Sequence, residues 1–246
     1  MNAQPRHRLS QILVLGTVVL AGIAIRAAWN GDLDSRFWFW LGACALGELL
    51  WVRLPVGGAT VSMALACNFA AMLLLPPGHA MLAIAISTLL VEAFVMRKPA
   101  LRFCFNAAQS TLAAGAGILA MYLVSGARIP PLHTLHLGLL SAVVVGAASY
   151  ATINTCAVSL AIALYERRQM IAVWRANFGT ARTVLSGLAH YSLGSLLAAI
   201  YVLAGPEGAM LVALPLFVIH ACCVVVMLRA GRPPASRPES EDRRAA

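Results

Sequence analysis

Charge is what this sequence has least of. Of its 246 residues only 11% are charged, 9 acidic against 18 basic, and Lys98 is the single lysine among the basic ones. A soluble globular domain carries about 25% charged residues, so composition excludes both a soluble enzyme and a disordered chain. Cysteines at metal or redox spacing are also missing. Cys44, Cys67, Cys104, Cys156, Cys222 and Cys223 all lie in or beside apolar stretches, with no CxxC among them. A disulfide framework and a zinc site are therefore not expected. The sequence has no HxxxH or HExxH pair, no P-loop, no dinucleotide fingerprint and no nucleophile with a partnered base. The expectation is a non-enzyme with no catalytic residue, no metal and no cofactor.

Apolar residues fill the space that charge leaves. They make up 61% of the chain, and the mean hydropathy is +0.82. At about 20 apolar residues per span, this length holds roughly six to nine membrane helices. The predicted fold is all-α, a polytopic membrane helix bundle of about eight transmembrane helices. Their expected limits are Leu9 to Ala28, Phe37 to Leu54, Thr60 to Leu75, His79 to Met96, Leu101 to Ser125, a stretch within Leu135 to Tyr165, Thr183 to Leu203, and Ala209 to Leu228. Pro76-Pro77-Gly78, Arg97-Lys98-Pro99, Pro130-Pro131 and Gly205-Pro206 punctuate the runs. Pro215 should bend the last helix by removing a backbone donor. The organisation predicted is a short N-terminus (1–8), a transmembrane domain (9–228) with a basic loop at 166–182, and a Pro-, Arg- and Glu-rich tail (229–246) of disordered character.

The distribution of positive charge tests this division. Eight spans put both termini on one side, with fifteen basic residues there and only Arg26, Arg36 and Arg128 opposite. Such a bias marks the cytoplasmic face. The formal charge of +9 is thus read as a topology signal, and nucleic acid is not expected as a partner. Trp29, Trp38, Trp40, Tyr122 and Tyr201 map near the outer interface; Trp51, Tyr165 and Trp174 map near the inner one. Both ends are expected in the cytoplasm, in the cytoplasmic (inner) membrane of a bacterium. The loop from Glu166 to Arg182 sets Met170, Ile171, Trp174 and Phe178 among arginines. It reads either as a helix lying on the lipid surface or as a plain basic loop.

Ionisable groups at membrane depth are costly and face a bundle interior or cavity. Glu48 and Glu92 are the two candidates. Glu48 is within reach of Arg53 or inner headgroups, while Glu92 lies near Arg97 with Thr88 one turn earlier. Each reads as interhelical glue or an arginine partner, or else as a group that lines a cytoplasm-facing site or carries a proton. In the fifth helix Asn106, Gln109 and Ser110 share one face with Ala113, Ala114 and Gly117, the pattern of a close-packed seam or a ligand-contacting face. Gly146, Tyr150 and Asn154 recur at four-residue steps, and Gly187, His190, Tyr191, Gly194 and Ser195 repeat the device. Glu48, Glu92, Asn106, Gln109, Asn154 and His190 form the candidate ligand-binding or polar seam. Arg167, Arg168 and Arg175 form the candidate partner surface.

Three segments carry a family resemblance. They are Arg53-Leu54-Pro55-Val56-Gly57-Gly58 followed by Val61-Ser62, Arg97-Lys98-Pro99 leading into Phe105-Asn106-Ala107-Ala108-Gln109, and Trp174-Arg175-Ala176-Asn177-Phe178. In order and spacing the sequence resembles the N-terminal membrane-associated sensor (MASE-type) domains of bacterial HD-GYP phosphodiesterases and GGDEF diguanylate cyclases, over about Leu41 to Leu228. The resemblance implies a multi-helix module that senses a signal and regulates an attached output. Only about eighteen residues follow the last predicted helix, so the expectation is a module without its own output domain. It would act through a separate signalling protein. The alternative is a small-solute binding subunit or transporter, similar to the substrate-capture components of energy-coupling-factor transporters, with an ATPase module as partner. Membrane lipid is a partner in both.

Overall fold

The computed structural model describes residues 4–50, 52–53, 60–61, 63–126 and 140–230. The Gly57-Gly58 turn, the loop at 127–139 and the tail from Gly231 lie outside the described residues. Among the described residues the fold is helical, with one two-residue antiparallel bridge. In chain order the elements are α1 (Gln4–Ala27), α2 (Ser35–Leu49), β1 (Val52–Arg53), β2 (Thr60–Val61), α3 (Ala64–Leu74), α4 (Pro77–Leu90), α5 (Ala100–Ser125), α6 (Leu140–Glu166) and α7 (Met170–Asn177). A last helical run, Ala181–Ala230, breaks at Gly205 into α8 (181–204) and α9 (206–230). Gly205 adopts φ 70°, ψ −169°, a conformation open to glycine and not to residues bearing a Cβ. Within that run only Gly205 leaves helical dihedrals; Pro215 does not.

Among the described residues four stretches are long and apolar enough to cross a membrane: Pro77–Val95, Ala100–Ser125, Leu140–Glu166 and Thr183–Ile219. The last spans the Gly205 break. Large apolar side chains lie exposed on α1, α5, α6, α8 and α9, among them Leu15, Leu123, Val144, Leu188, Leu203 and Leu211. A water-soluble protein does not expose apolar surface on this scale. The chain is a helical membrane protein.

The third predicted span takes a different form. Thr60 to Leu75 contracts to α3, eleven residues from Ala64 to Leu74. At 1.5 Å per residue that is about 16 Å, roughly half the hydrocarbon thickness of about 30 Å. The chain reaches it through the β1–β2 bridge, where Val52 faces Val61 and Arg53 faces Thr60. Pairing these segments satisfies backbone groups that bare lipid could not. Every α3 residue except Leu65 is buried. α2, α4, α5 and α8 surround it, so α3 is the axis of the core.

Glycines set the closest helix contacts. The Gly78 N–H donates to the Ala28 carbonyl at 3.1 Å. A Cβ there would lie 2.7 Å from that oxygen, so only glycine joins the end of α1 to the start of α4 in this way. On α8, a Cβ at Gly194 would lie 2.5 Å from the Ala66 carbonyl of α3. These contacts also fix direction. Trp29, Phe37 and His79 meet at one end of the bundle, and Tyr201 joins Phe39 and Trp40 there. The turn from α4 into α5 lies at the opposite end.

Candidate functional site

The candidate site grows from the way α4 stops. Its last turn widens into a π-turn, Val91–Val95. Such turns are rare and recur at functional positions. Arg97 then takes φ 51°, reversing the chain. The reversal brings Lys98 back onto Glu92 twice. Its backbone N–H donates to the Glu92 carbonyl at 2.9 Å, and its ammonium to Glu92 Oε1 at 2.5 Å. Asn106 Nδ2 completes the arrangement by donating to both carboxylate oxygens, at 3.0 and 2.8 Å. Glu92 is buried, and Lys98 is about one third exposed. The expected cationic partner, Arg97, is replaced by Lys98, because the left-handed turn carries residue 98 and not 97 toward the helix end.

Glu48 belongs to the same neighbourhood. Thr88, one turn before Glu92, donates to Glu48 Oε1 at 3.1 Å. Glu48 is within electrostatic range of both Glu92 and Lys98. The two carboxylates therefore share one polar cluster, closed by α2, α4 and the first turns of α5. Glu48 accepts from Thr88; Arg53, the cation expected beside it, has a side chain outside the described residues.

A second polar group lies deeper, one turn along α5. Gln109 Nε2 donates to Ser110 Oγ at 3.0 Å. The Tyr150 hydroxyl of α6 lies within hydrogen-bonding reach of Ser110 and of Asn68 on α3, and within electrostatic range of Glu48. Asn68 Oδ1 and Gln109 Oε1 are buried without a hydrogen-bond partner. The α5 seam is packed as its small residues imply: Gln109, Ala113, Ala114 and Gly117 are buried. α6 runs antiparallel against it, with Gly146 facing Gly117 and Met121.

The remaining sequence candidates do not join these groups. Asn154 is half-buried on α6, one turn beyond Tyr150. His190 Nδ1 contacts the Ser186 carbonyl of its own helix at 2.7 Å, and its Nε2 is buried without a partner. Arg167, Arg168 and Arg175 are exposed around α7. The loop at 166–182 thus contains a true helix, Met170–Asn177, anchored to α6 by buried Val173 and by Trp174 Nε1 donating to Thr155 at 3.1 Å. Among the described residues no group of His, Cys, Asp or Glu could hold a metal ion.

Sequence reasoning missed the π-turn, the role of Lys98 and the Asn68–Tyr150 pairing. The single lysine beside Pro99 was a usable signal for the second. The π-turn is a local change of hydrogen-bond register that no residue pattern marks, and the approach of Tyr150 to Asn68 joins helices far apart in sequence. At the opposite end, Asp34 caps α2 by accepting from the Phe37 N–H at 3.1 Å and from Arg36 Nε at 2.6 Å. Burial pushes the Asp34 carboxyl up, but Arg36, the Phe37 N–H and His79 outweigh it and hold the group below its ordinary value of 3.8.

Fold and site together define a helical membrane protein with a buried carboxylate–ammonium–amide cluster at one end. No family model, curated protein or solved structure matches this chain.

Proposed function

We propose that this protein is a membrane sensor or scaffold module, of the kind the MASE-type resemblance implies, that passes a signal to a signalling partner. The observation that carries the reading is the Glu92 latch. Its hydrogen bonds go to Lys98 and Asn106 of the same bundle, and it sits on a π-turn. A π-turn and an α-turn differ by one hydrogen-bond register, and the proposed signal acts by shifting this element from one register to the other. Transport asks for an open path, whereas this carboxylate is engaged by protein groups. The exposed arginines around α7 supply the surface for a partner or for anionic headgroups.

In this reading the membrane is a bacterial cytoplasmic membrane. The chain crosses it eight times, α3 and its β-bridge making one short crossing between α2 and α4, and both termini face the cytoplasm. A cytoplasm-only reporter fused at the C-terminus should be active. Activity of a periplasm-only reporter at the same position would overturn the topology.

The function is tested by mild-detergent purification from native membranes and mass spectrometry of co-purifying proteins. A stoichiometric cyclase, phosphodiesterase or kinase supports the sensor reading. An ATPase with a coupling subunit, and no signalling partner, replaces it with the transport reading.

A further inference from the structure

Two turns in this chain are built against the preference of their backbone. Among the described residues, only Arg97 (φ 51°) and Arg167 (φ 56°) hold a positive φ without being glycine. A Cβ makes the left-handed conformation costly, and helices that stop this way usually do so on glycine. The opposite end of the bundle follows that preference, with Gly31, Gly126 and Gly205 at positive φ. Arg97 follows α4, where the Lys98 N–H donates to the Glu92 carbonyl, and Arg167 follows α6, where the Arg168 N–H donates to the Ala163 carbonyl at 3.1 Å. Because α6 runs antiparallel to α5, its end lies at the same end of the bundle as the α4–α5 turn. Both arginines are exposed. The turn itself gains nothing from an arginine, so each guanidinium has its use outside the bundle.

Depth and charge say what it meets there. The apolar stretch Pro77–Val95 stops just before Arg97, and Leu140–Glu166 directly before Arg167. Both turns therefore sit where hydrocarbon gives way to headgroups. Exposed apolar side chains reach up to them: Phe94 (75%) and Val95 at the first, Tyr165 (74%), Ile171 (66%) and Trp174 around the second. Tyrosine and tryptophan favour that boundary. Charge there is one-sided. Glu92 is buried against Lys98, and Glu166 pairs with Arg168 at 3.5 Å. Arg97, Arg102, Arg167 and Arg175 are exposed and have no acidic partner among the described residues. A guanidinium matches a phosphate with paired hydrogen bonds. An acidic protein surface would meet the arginines but not Phe94, Tyr165 and Ile171 beside them. An anionic leaflet meets both.

We propose that Arg97 and Arg167, with Arg102 and Arg175 on the helices that follow them, are docking points for the phosphate headgroups of anionic phospholipids. This assigns lipid to the α7 surface and rests on the sensor reading only for its topology, which places both turns in the cytoplasmic leaflet. A docked headgroup holds the end of a crossing helix at a fixed depth. At the first turn it also steadies the backbone that presents Lys98 to Glu92.

The test is thermal unfolding of the purified full chain in phosphatidylcholine nanodiscs with a rising fraction of phosphatidylglycerol. Phosphatidylglycerol should raise the midpoint by about 3 °C and the rise should saturate, as for a ligand that binds only the folded state. The double variant Arg97→Gly, Arg167→Gly relieves both turns, so in pure phosphatidylcholine it should unfold no earlier than the parent. Its response to phosphatidylglycerol should drop below about 1 °C. Arg97→Asn with Arg167→Asn accepts the same turns and should behave alike, which keeps the test open if the glycine variant fails to fold. Arg26 is exposed at the opposite end, and Arg26→Gln should keep the parent's response. Identical parent midpoints in the two lipids would overturn the proposal and leave the arginines to a protein partner. An undiminished response in a folded double variant would overturn it too, as would an equal loss in Arg26→Gln. Inorganic phosphate at matched ionic strength should not reproduce the rise; if it does, the occupant is a soluble anion and the proposal falls. No signalling partner enters the measurement, so its failure is distinguishable from failure of the sensor reading.

Discussion

Two pairs of apolar stretches in this bundle use the same composition in opposite ways. The stretches Pro77–Val95 and Ala100–Ser125 are half buried or more inside the protein. Leu140–Glu166 and Thr183–Ile219, equally apolar, are less than one fifth buried. Both pairs border α3, but the first carries Thr88, Glu92, Asn106 and Gln109. The second pair turns Val144, Leu188, Leu203 and Leu211 outward. In lipid, an apolar side chain gains little by moving from acyl chains to a protein interior. Apolarity therefore does not decide which helix is core. Small residues, hydrogen bonds and close packing do.

The comparison can be broken first at Glu92. Lys98→Met leaves a buried carboxylate with only Asn106 as partner, and removing one member of such a pair costs about 3–5 kcal/mol. Lys98 is partly exposed, so roughly 2–3 kcal/mol is expected by denaturant unfolding in detergent. Adding Glu92→Leu should recover part of that loss. If Lys98→Met unfolds like the parent, the latch contributes no stability and the contrast between the two pairs weakens.

A smaller effect separates the faces of α5. Ala113 is fully buried and Leu119 is largely exposed. Ala113→Leu should cost about 1–3 kcal/mol through overpacking, and Asn106→Leu with Gln109→Leu should lower the thermal midpoint as well. Leu119→Ala should stay within about 0.5 kcal/mol. Equal effects at 113 and 119 would mean that both faces of α5 meet lipid.

The smallest effect lies at the other end of the bundle. Asp34→Ala removes the cap of α2 and should cost about 1 kcal/mol. Because the folded carboxyl titrates below its ordinary 3.8, its contribution is complete above that value. It is lost as pH falls through the lower folded value. The difference in stability between parent and Asp34→Ala should therefore shrink in acid, and a difference that persists at the lowest pH would remove the ionic part of the cap.

Much of the architecture was legible along the chain. The punctuation at Pro76-Pro77-Gly78, Arg97-Lys98-Pro99 and Gly205-Pro206 marks helix ends that the structure places within a few residues. The polar face of α5 was legible because three- and four-residue spacing fixes a helix face regardless of neighbours. The length of α3 was not. Thr60 and Val61, predicted to open the span, pair instead with Arg53 and Val52. Glu48 and Glu92 could be nominated separately from their depth, but not joined. Their link passes through Thr88, forty residues from Glu48.

Sequence alone determined that this is a helical membrane protein, where its helices turn, and which few polar groups are held within them. Those properties follow from local composition and spacing, since each helix satisfies its own backbone and must be apolar to meet lipid. Tertiary structure decided which helix is the axis, that Lys98 and not Arg97 closes on Glu92, and that Thr88 joins Glu48 to the same cluster. These depend on packing across the bundle and on how the chain turns at its ends, conditions invisible to the order of residues along it.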